Sequence, residues 1–317
     1  MQAERRKPLM TSNHRNNFQL HMMLVPGVVL IFLFSYLPMF GLIIAFQNFS
    51  PRKGFLGSDF IGLNNFAYVL KIPGFWRVVC NTLLISIQKI VLNIIVPVFV
   101  ALLLNELTLR RVKKVVQTIV YFPHFLSWVI LAGLFVDILS PSEGFVNSLI
   151  SLFGGTPVFF LGDKNWFPFT MVLTDVWKEF GYGTIVYLAT LSSIDPTLYE
   201  AAGIDGAGRL RQAFSITIPA LMPTIMLMGM LSLGSILNAG GTLSTAGSSG
   251  FEQIYNLYSP QVFETGDIIE TLVFRLGLAG GQYSVATAIG LVKSLLSLVL
   301  MSLGYWIAKK KANYEIL

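Results

Sequence analysis

Residues 195–219, D-P-T-L-Y-E-A-A-G-I-D-G-A-G-R-L-R-Q-A-F-S-I-T-I-P, decide how this chain is read. They form the longest polar, helix-competent segment in a mostly apolar chain, with apolar runs on both sides. In lipid every backbone polar group must be satisfied internally, so the flanking runs read as helical crossings. The polar stretch must then leave the bilayer, fold there and return. Asp195 can cap a helix whose first position is Pro196, where a missing N–H costs nothing. That helix carries Leu198, Ala201 and Ala202 on one side and Glu200 on another, and Gly203 loosens it. Asp205, followed by Gly206, can cap a second helix through Arg209, Arg211 and Phe214, with Pro219 restricting its end. Two short helices with small residues at the bend make a knob that a partner's groove can approach closely.

Composition agrees with a membrane setting. The chain has 317 residues, 54% hydrophobic and 12% charged, with a mean hydropathy of +0.68. A soluble chain carries about 25% charged residues, so the deficit points to an all-α polytopic membrane protein. The net charge of +6 does not argue for nucleic acid, because the basic residues cluster at span ends. A single cysteine, Cys80, excludes an internal disulfide framework and a cysteine-rich metal site. The first apolar run is too long for a cleaved signal and reads as a signal anchor.

Six apolar runs are long enough to cross, at 20–46, 78–104, 115–139, 167–191, 220–238 and 283–308. A tail at 1–19 precedes them and another at 309–317 follows. The Gly-, Ser- and Thr-rich segment 240–250 has no periodicity and reads as a flexible insertion in an outer loop. With the N-terminus inside, the cytoplasmic segments hold thirteen basic residues against six in the outer loops. That asymmetry puts both termini and residues 195–219 in the cytoplasm.

Glu200-Ala201-Ala202, then Asp205-Gly206-Ala207, then Phe214, Ile218 and Pro219, resembles the "EAA" loop of ABC importer permeases. The resemblance implies a type I permease fold with six transmembrane helices and both ends in the cytoplasm. It implies that Glu200, Ala201, Ala202, Asp205, Gly206, Ala207, Arg209, Phe214 and Pro219 form a coupling helix seated in a cleft of a cytoplasmic ATPase. Patterns such as Tyr36-Leu37-Pro38-Met39, Ile61-Gly62-Leu63-Asn64-Asn65-Phe66, Asn81-Thr82 and Gly290-Leu291-Val292-Lys293-Ser294 are similar to carbohydrate-importer permeases. Nearest in flavour is the polysaccharide branch, some members of which take pectin- or alginate-like uronate chains. The implied partners are a second permease subunit, in a heterodimer, two ATPase subunits and an extracytoplasmic sugar-binding protein. ATP and magnesium then belong to the ATPase, this chain holds no cofactor, and its place is the bacterial inner membrane, in contact with lipid.

Ionisable residues inside spans are costly and normally face a cavity or a partner. The fourth run has Asp175, Trp177, Lys178, Glu179, Tyr182 and Tyr187; Asp175, Lys178 and Glu179 share one helix face. This cluster has two readings. One is an ion pair that neutralises itself and anchors the bundle; the other is a wet pathway where aromatics and charges meet sugar hydroxyls. Lys293, about ten residues and so roughly 15 Å into its run, and Lys89 in the second run can each meet a buried acid or an acidic sugar. Asn238 is a further polar candidate. No HExxH, phosphate-binding loop or paired nucleophile and base is present. A stand-alone secondary transporter or channel is the rival, and it predicts repeats that the halves do not show.

Overall fold

The computed structural model describes residues 13–234, 236, 237 and 249–312, most of them helical. Asn238 and most of the 240–250 insertion lie outside the described residues, as do the ends of both tails.

Helix α1 (Asn13–Ile31) continues through a wide turn, Phe32–Tyr36, into a tight run, Leu37–Phe46. A two-residue hairpin follows, β1 (Gln47–Asn48) against β2 (Asp59–Phe60), in antiparallel register. Then come α2 (Asn64–Lys71), α3 (Phe75–Glu106), α4 (Arg110–Tyr121), α5 (Trp128–Ile138), α6 (Phe145–Leu152) and α7 (Trp166–Leu191). The knob is α8 (Pro196–Ile204) and the start of α9 (Arg209–Gly234); α10 (Ser249–Leu257), α11 (Ile269–Phe274) and α12 (Tyr283–Ala312) complete the chain.

Among the described residues four helices are long and apolar enough to cross a bilayer: His21–Phe46, Phe75–Glu106, Arg209–Gly234 and Tyr283–Trp306. The expected third crossing, 115–139, is not one straight helix. Its halves, Arg110–Phe125 and Trp128–Ile138, meet at 102°. Pro123 tightens the end of the first half, Leu126 is extended, and Ser127 starts the second half by accepting from the Ile130 N–H at 3.3 Å. The expected fourth crossing is a continuous helix of 26 residues, long enough to span, with Asp175, Lys178 and Glu179 near its middle.

The fifth crossing begins eleven residues earlier than the apolar run, at Arg209, because the second knob helix flows straight into it. Pro219 does not end that helix. A wide turn at Ala213–Thr217 precedes it, where the Ile218 N–H reaches back to the Ala213 carbonyl. The extra residue in the turn absorbs the missing donor and the ring of Pro219. The same device precedes Pro38, where the Leu37 N–H reaches the Phe32 carbonyl.

Asn65 donates both amide hydrogens, to the Ala45 and Gln47 carbonyls at 2.8 and 3.0 Å, and ties α2 to the end of the first crossing. The connection before α12 is folded in its described part. Asn81 donates to the Glu264 and Asp267 carbonyls, and Thr82 accepts from the Ile269 N–H at 3.0 Å, so α11 is pinned to α3. Arg275 closes the same loop with two bonds to Asp267, at 3.2 and 2.6 Å.

Three apolar clusters hold the bundle. Trp128, Phe167, Met171 and Ile254 centre the first, Val69, Phe75, Ile269 and Ile289 the second, and Ala101, Tyr187, Leu191 and Leu221 the third. The first crossing adds little to them: Met23, Phe34 and Phe40 are exposed, as suits a helix clothed by lipid or another subunit. Helix α7 approaches α4 where it has no side chain. A Cβ on Gly181 would stand 2.0 Å from the Val120 carbonyl oxygen. That oxygen is backbone and cannot swing aside, so Gly181→Ala is expected to cost about 1–3 kcal/mol. Thermal unfolding in detergent measures it, and an unchanged midpoint would mean the two helices are not packed this closely.

Candidate functional site

The first candidate surface is the knob. Asp195 caps α8 as its sequence suggested, accepting from the Thr197 N–H at 2.9 Å, and that bond holds its carboxyl below the usual carboxylate range. Asp205 does not cap the second helix, whose cap position is Gly208. It ends the first one. Gly206, at φ +77°, turns the chain, its N–H meets the Gly203 carbonyl, and the Ala207 N–H meets the Ala202 carbonyl at 2.9 Å. These two bonds are the standard glycine-terminated helix end, and only a residue at ease with positive φ fits there.

The knob presents its apolar and charged groups outward. Leu198, Ile204, Leu210 and Phe214 are exposed, Ile204 by 88%. Glu200, Ala201, Asp205 and Pro219 are exposed, and Ala202 and Ala207 are half-buried. Glu200 has no hydrogen bond or ion pair among the described residues. On its inner side the knob is attached to the bundle: Arg209 pairs with Glu106 at 3.3 Å, and the Tyr199 and Thr217 hydroxyls meet at 3.0 Å. The Tyr199–Thr217 contact thus joins α8 to α9, and the Arg209–Glu106 pair joins the start of α9 to α3.

The second candidate region is the charged middle of α7. Lys89 is fully buried and donates to Asp175 at 3.1 Å and to the Gln253 side-chain oxygen. Asn93 donates to the other Asp175 oxygen at 2.9 Å. Gln253 donates in turn to the Met171 carbonyl and the Thr174 hydroxyl, each at 2.7 Å. Lys178 does not pair with Asp175 although one turn away; it donates to Glu179 and to the His124 carbonyl, each at 2.9 Å. His124 Nδ1 lies 2.8 Å from Glu179, and its ring stacks on Tyr182 at 4.1 Å. Two separate ion pairs thus involve α7. One ties α7 to α3 and α10; the other ties it to the bend between α4 and α5.

Tyr187 is buried in the third apolar cluster. Trp177 and Tyr182 are exposed, at 42% and 37%, as are Trp166 and Phe169 near the start of α7. Lys293 lies on α12 and donates to Glu270 at 2.9 Å, not to Asp175 or Glu179. Gln253, Glu270 and His124 were not legible as site residues. Gln253 and Glu270 fall in what reads as connection, and Gln253 meets Lys89 across 164 positions. Among the described residues no group of His, Cys, Asp and Glu is placed to hold a metal ion.

Residues 93–313 match the family described as binding-protein-dependent transport system inner membrane component. The chain is 39% identical over 307 residues to the polygalacturonan/rhamnogalacturonan transport system permease protein YteP of Bacillus subtilis (strain 168), covering 97% of this chain and 92% of YteP. It superposes with a TM-score of 0.83 and 38% identity on a chain of a bacterial ABC transporter involved in the import of the acidic polysaccharide alginate, covering 94% of this chain and 97% of that one. A second structure, of a bacterial alginate ABC transporter in complex with an alginate pentasaccharide-bound periplasmic protein, matches with a TM-score of 0.83 at 36% identity, over 96% and 98% of the two chains.

Proposed function

The chain belongs to the family of binding-protein-dependent transport system inner membrane components, and we propose that it is the permease subunit through which uronate-containing oligosaccharides enter the cytoplasm at the expense of ATP. It is a multi-pass membrane protein and a transport permease rather than an enzyme. The observation that carries the ATP-driven reading is the knob. It is an exposed short helix, α8, capped by Asp195 and turned at Gly206 into the start of α9, with outward apolar groups and side-chain contacts to two crossings. The uronate reading is supported by likeness over nearly the whole chain to transporters of polygalacturonan and alginate.

In this reading six crossings leave both termini and the knob in the cytoplasm. A related second permease completes the core, two ATPase subunits sit below it, and a sugar-loaded binding protein docks outside. ATP and magnesium reside on the ATPases, whose closure moves α8. Arg209 and Tyr199 pass that movement to Glu106 on α3 and Thr217 on α9, and the helices rotate as rigid bodies to open the path outward. Hydrolysis reverses the movement.

Co-purification from detergent tests this. The chain is expected to come out bound to an ATP-binding subunit, and uptake of a galacturonate oligomer by the reconstituted complex is expected to require ATP inside. A chain that purifies alone and takes up sugar on an ion gradient would overturn the reading. Topology has its own check: in a Cys80→Ser chain, Thr197→Cys is expected to react with an impermeant maleimide only from the cytoplasmic face.

A further inference from the structure

Helix α4 begins with Arg110, Arg111, Lys113 and Lys114. It starts just after α3 ends at Glu106, so these cations stand at the knob's end of the bundle. No acidic residue occurs between Glu106 and Asp137. None of the four cations makes an ion pair among the described residues, and Glu106 is taken by Arg209 at 3.3 Å. Arg110, Arg111 and Lys114 are exposed, and Lys113 is half-buried. Val112, Val115 and Ile119 recur at helical spacing on one side of α4, and all are exposed, as is Phe122 just beyond it. The remaining side is occupied. Val116 and Val120 are half-buried, and the Val120 carbonyl lies where Gly181 of α7 leaves room for it. The free surface of α4 therefore has an order along its length, with positive charge at its start and bare hydrocarbon running on from it.

An anionic phospholipid has the same order, a charged head at the membrane surface and hydrocarbon chains below. A soluble acidic surface would cover the cations and leave Val115 and Ile119 bare. A neutral lipid would cover the apolar stripe and leave the cations uncompensated. Basic clusters on an amphipathic helix beside a crossing attract anionic headgroups. We propose that the leaflet on the knob's side holds anionic phospholipid against α4, with headgroup phosphates on Arg110, Arg111 and Lys114 and acyl chains along Val112, Val115 and Ile119. The bound lipid fixes the start of α4 in the headgroup plane, next along the chain to the Glu106 and Arg209 pair that joins α3 to the knob. This site requires only that the chain sits in a bilayer, so it stands apart from the choice of sugar and of energy source.

A fluorophore on the apolar stripe reads the lipid next to it. In a Cys80→Ser chain, Val115→Cys carries a bimane, and the assembled transporter is placed in phosphatidylcholine vesicles. Brominated phosphatidylglycerol is expected to quench the label at about a tenfold lower mole fraction than brominated phosphatidylcholine. Arg110→Gln, Arg111→Gln and Lys114→Gln together are expected to make the two lipids equal. If that triple variant fails to assemble, Arg111→Gln with Lys114→Gln carries the test, and the preference is expected to fall to about threefold. Equal quenching in the parent would mean that α4 meets lipid without choosing a headgroup. No quenching by either lipid would mean that a protein partner covers this face. Either result overturns the proposal, and so does a preference that survives the loss of the cations.

Discussion

Lys89→Met will unfold at a markedly lower temperature than the parent chain. The change removes one partner of a fully buried pair and leaves the Asp175 carboxylate without its cation. Breaking such a pair from one side costs about 3–5 kcal/mol, because the remaining charge is stranded away from water. Asn93 still donates to Asp175, which softens the loss but supplies no charge. Gln253 also loses a donor, so α10 loosens from α3. Removing both charges in Lys89→Met with Asp175→Leu is expected to recover most of the stability, since apolar replacements of buried pairs are often neutral. Thermal unfolding in detergent, followed by loss of monodisperse protein, reads both. A Lys89→Met chain as stable as its parent, or a double variant worse than the single, would show that this pair is not what holds α7 to α3.

Glu200→Lys is expected to have the second large effect, and of the opposite kind. Glu200 is exposed and unpaired among the described residues, so its reversal should leave thermal unfolding within about 0.5 kcal/mol of the parent. In the assembled transporter the same residue would lie in the contact with the ATPase. Placing a wrong charge in a docked interface costs several kcal/mol, and every 1.4 kcal/mol is about a factor of ten. Uptake is therefore expected to fall roughly a hundredfold or more, with ATP hydrolysis no longer stimulated by sugar. Stability and uptake measured on one preparation separate the two outcomes. Normal uptake by Glu200→Lys would remove the coupling role from α8.

The two changes act on different levels. Lys89 works inside the fold and its loss should be felt with or without partners. Glu200 works only when something is docked on it. Gly206 lies between these cases, because its positive φ sets the angle at which α8 presents Glu200 while a side chain added there would meet no neighbouring atom.

Helical crossings and the knob were legible from residues alone, for local reasons. A run of twenty apolar residues must be helical in lipid, and Asp195 before Pro196 marks a helix start wherever it occurs. The knob's lower turn was harder. Asp205 and Gly206 read as a helix beginning, whereas the bonds from Gly206 and Ala207 back to Gly203 and Ala202 make them a helix end. A cap residue and a C-terminal glycine look alike in a short polar stretch until the direction of those bonds is known.

The chain's order of residues determined that this is a membrane bundle with a polar hinge at 195–219, because hydropathy and capping depend on neighbours a few positions apart. Tertiary structure alone decided the pairing of the buried charges. Asp175 has Lys178 one turn away yet takes Lys89 from another helix, and Lys293 finds Glu270 in a segment with the look of a linker. Helix spacing says which side chains share a face; only the packing of helices says which cation lies opposite, and buried charges go to the partner that packing brings within reach.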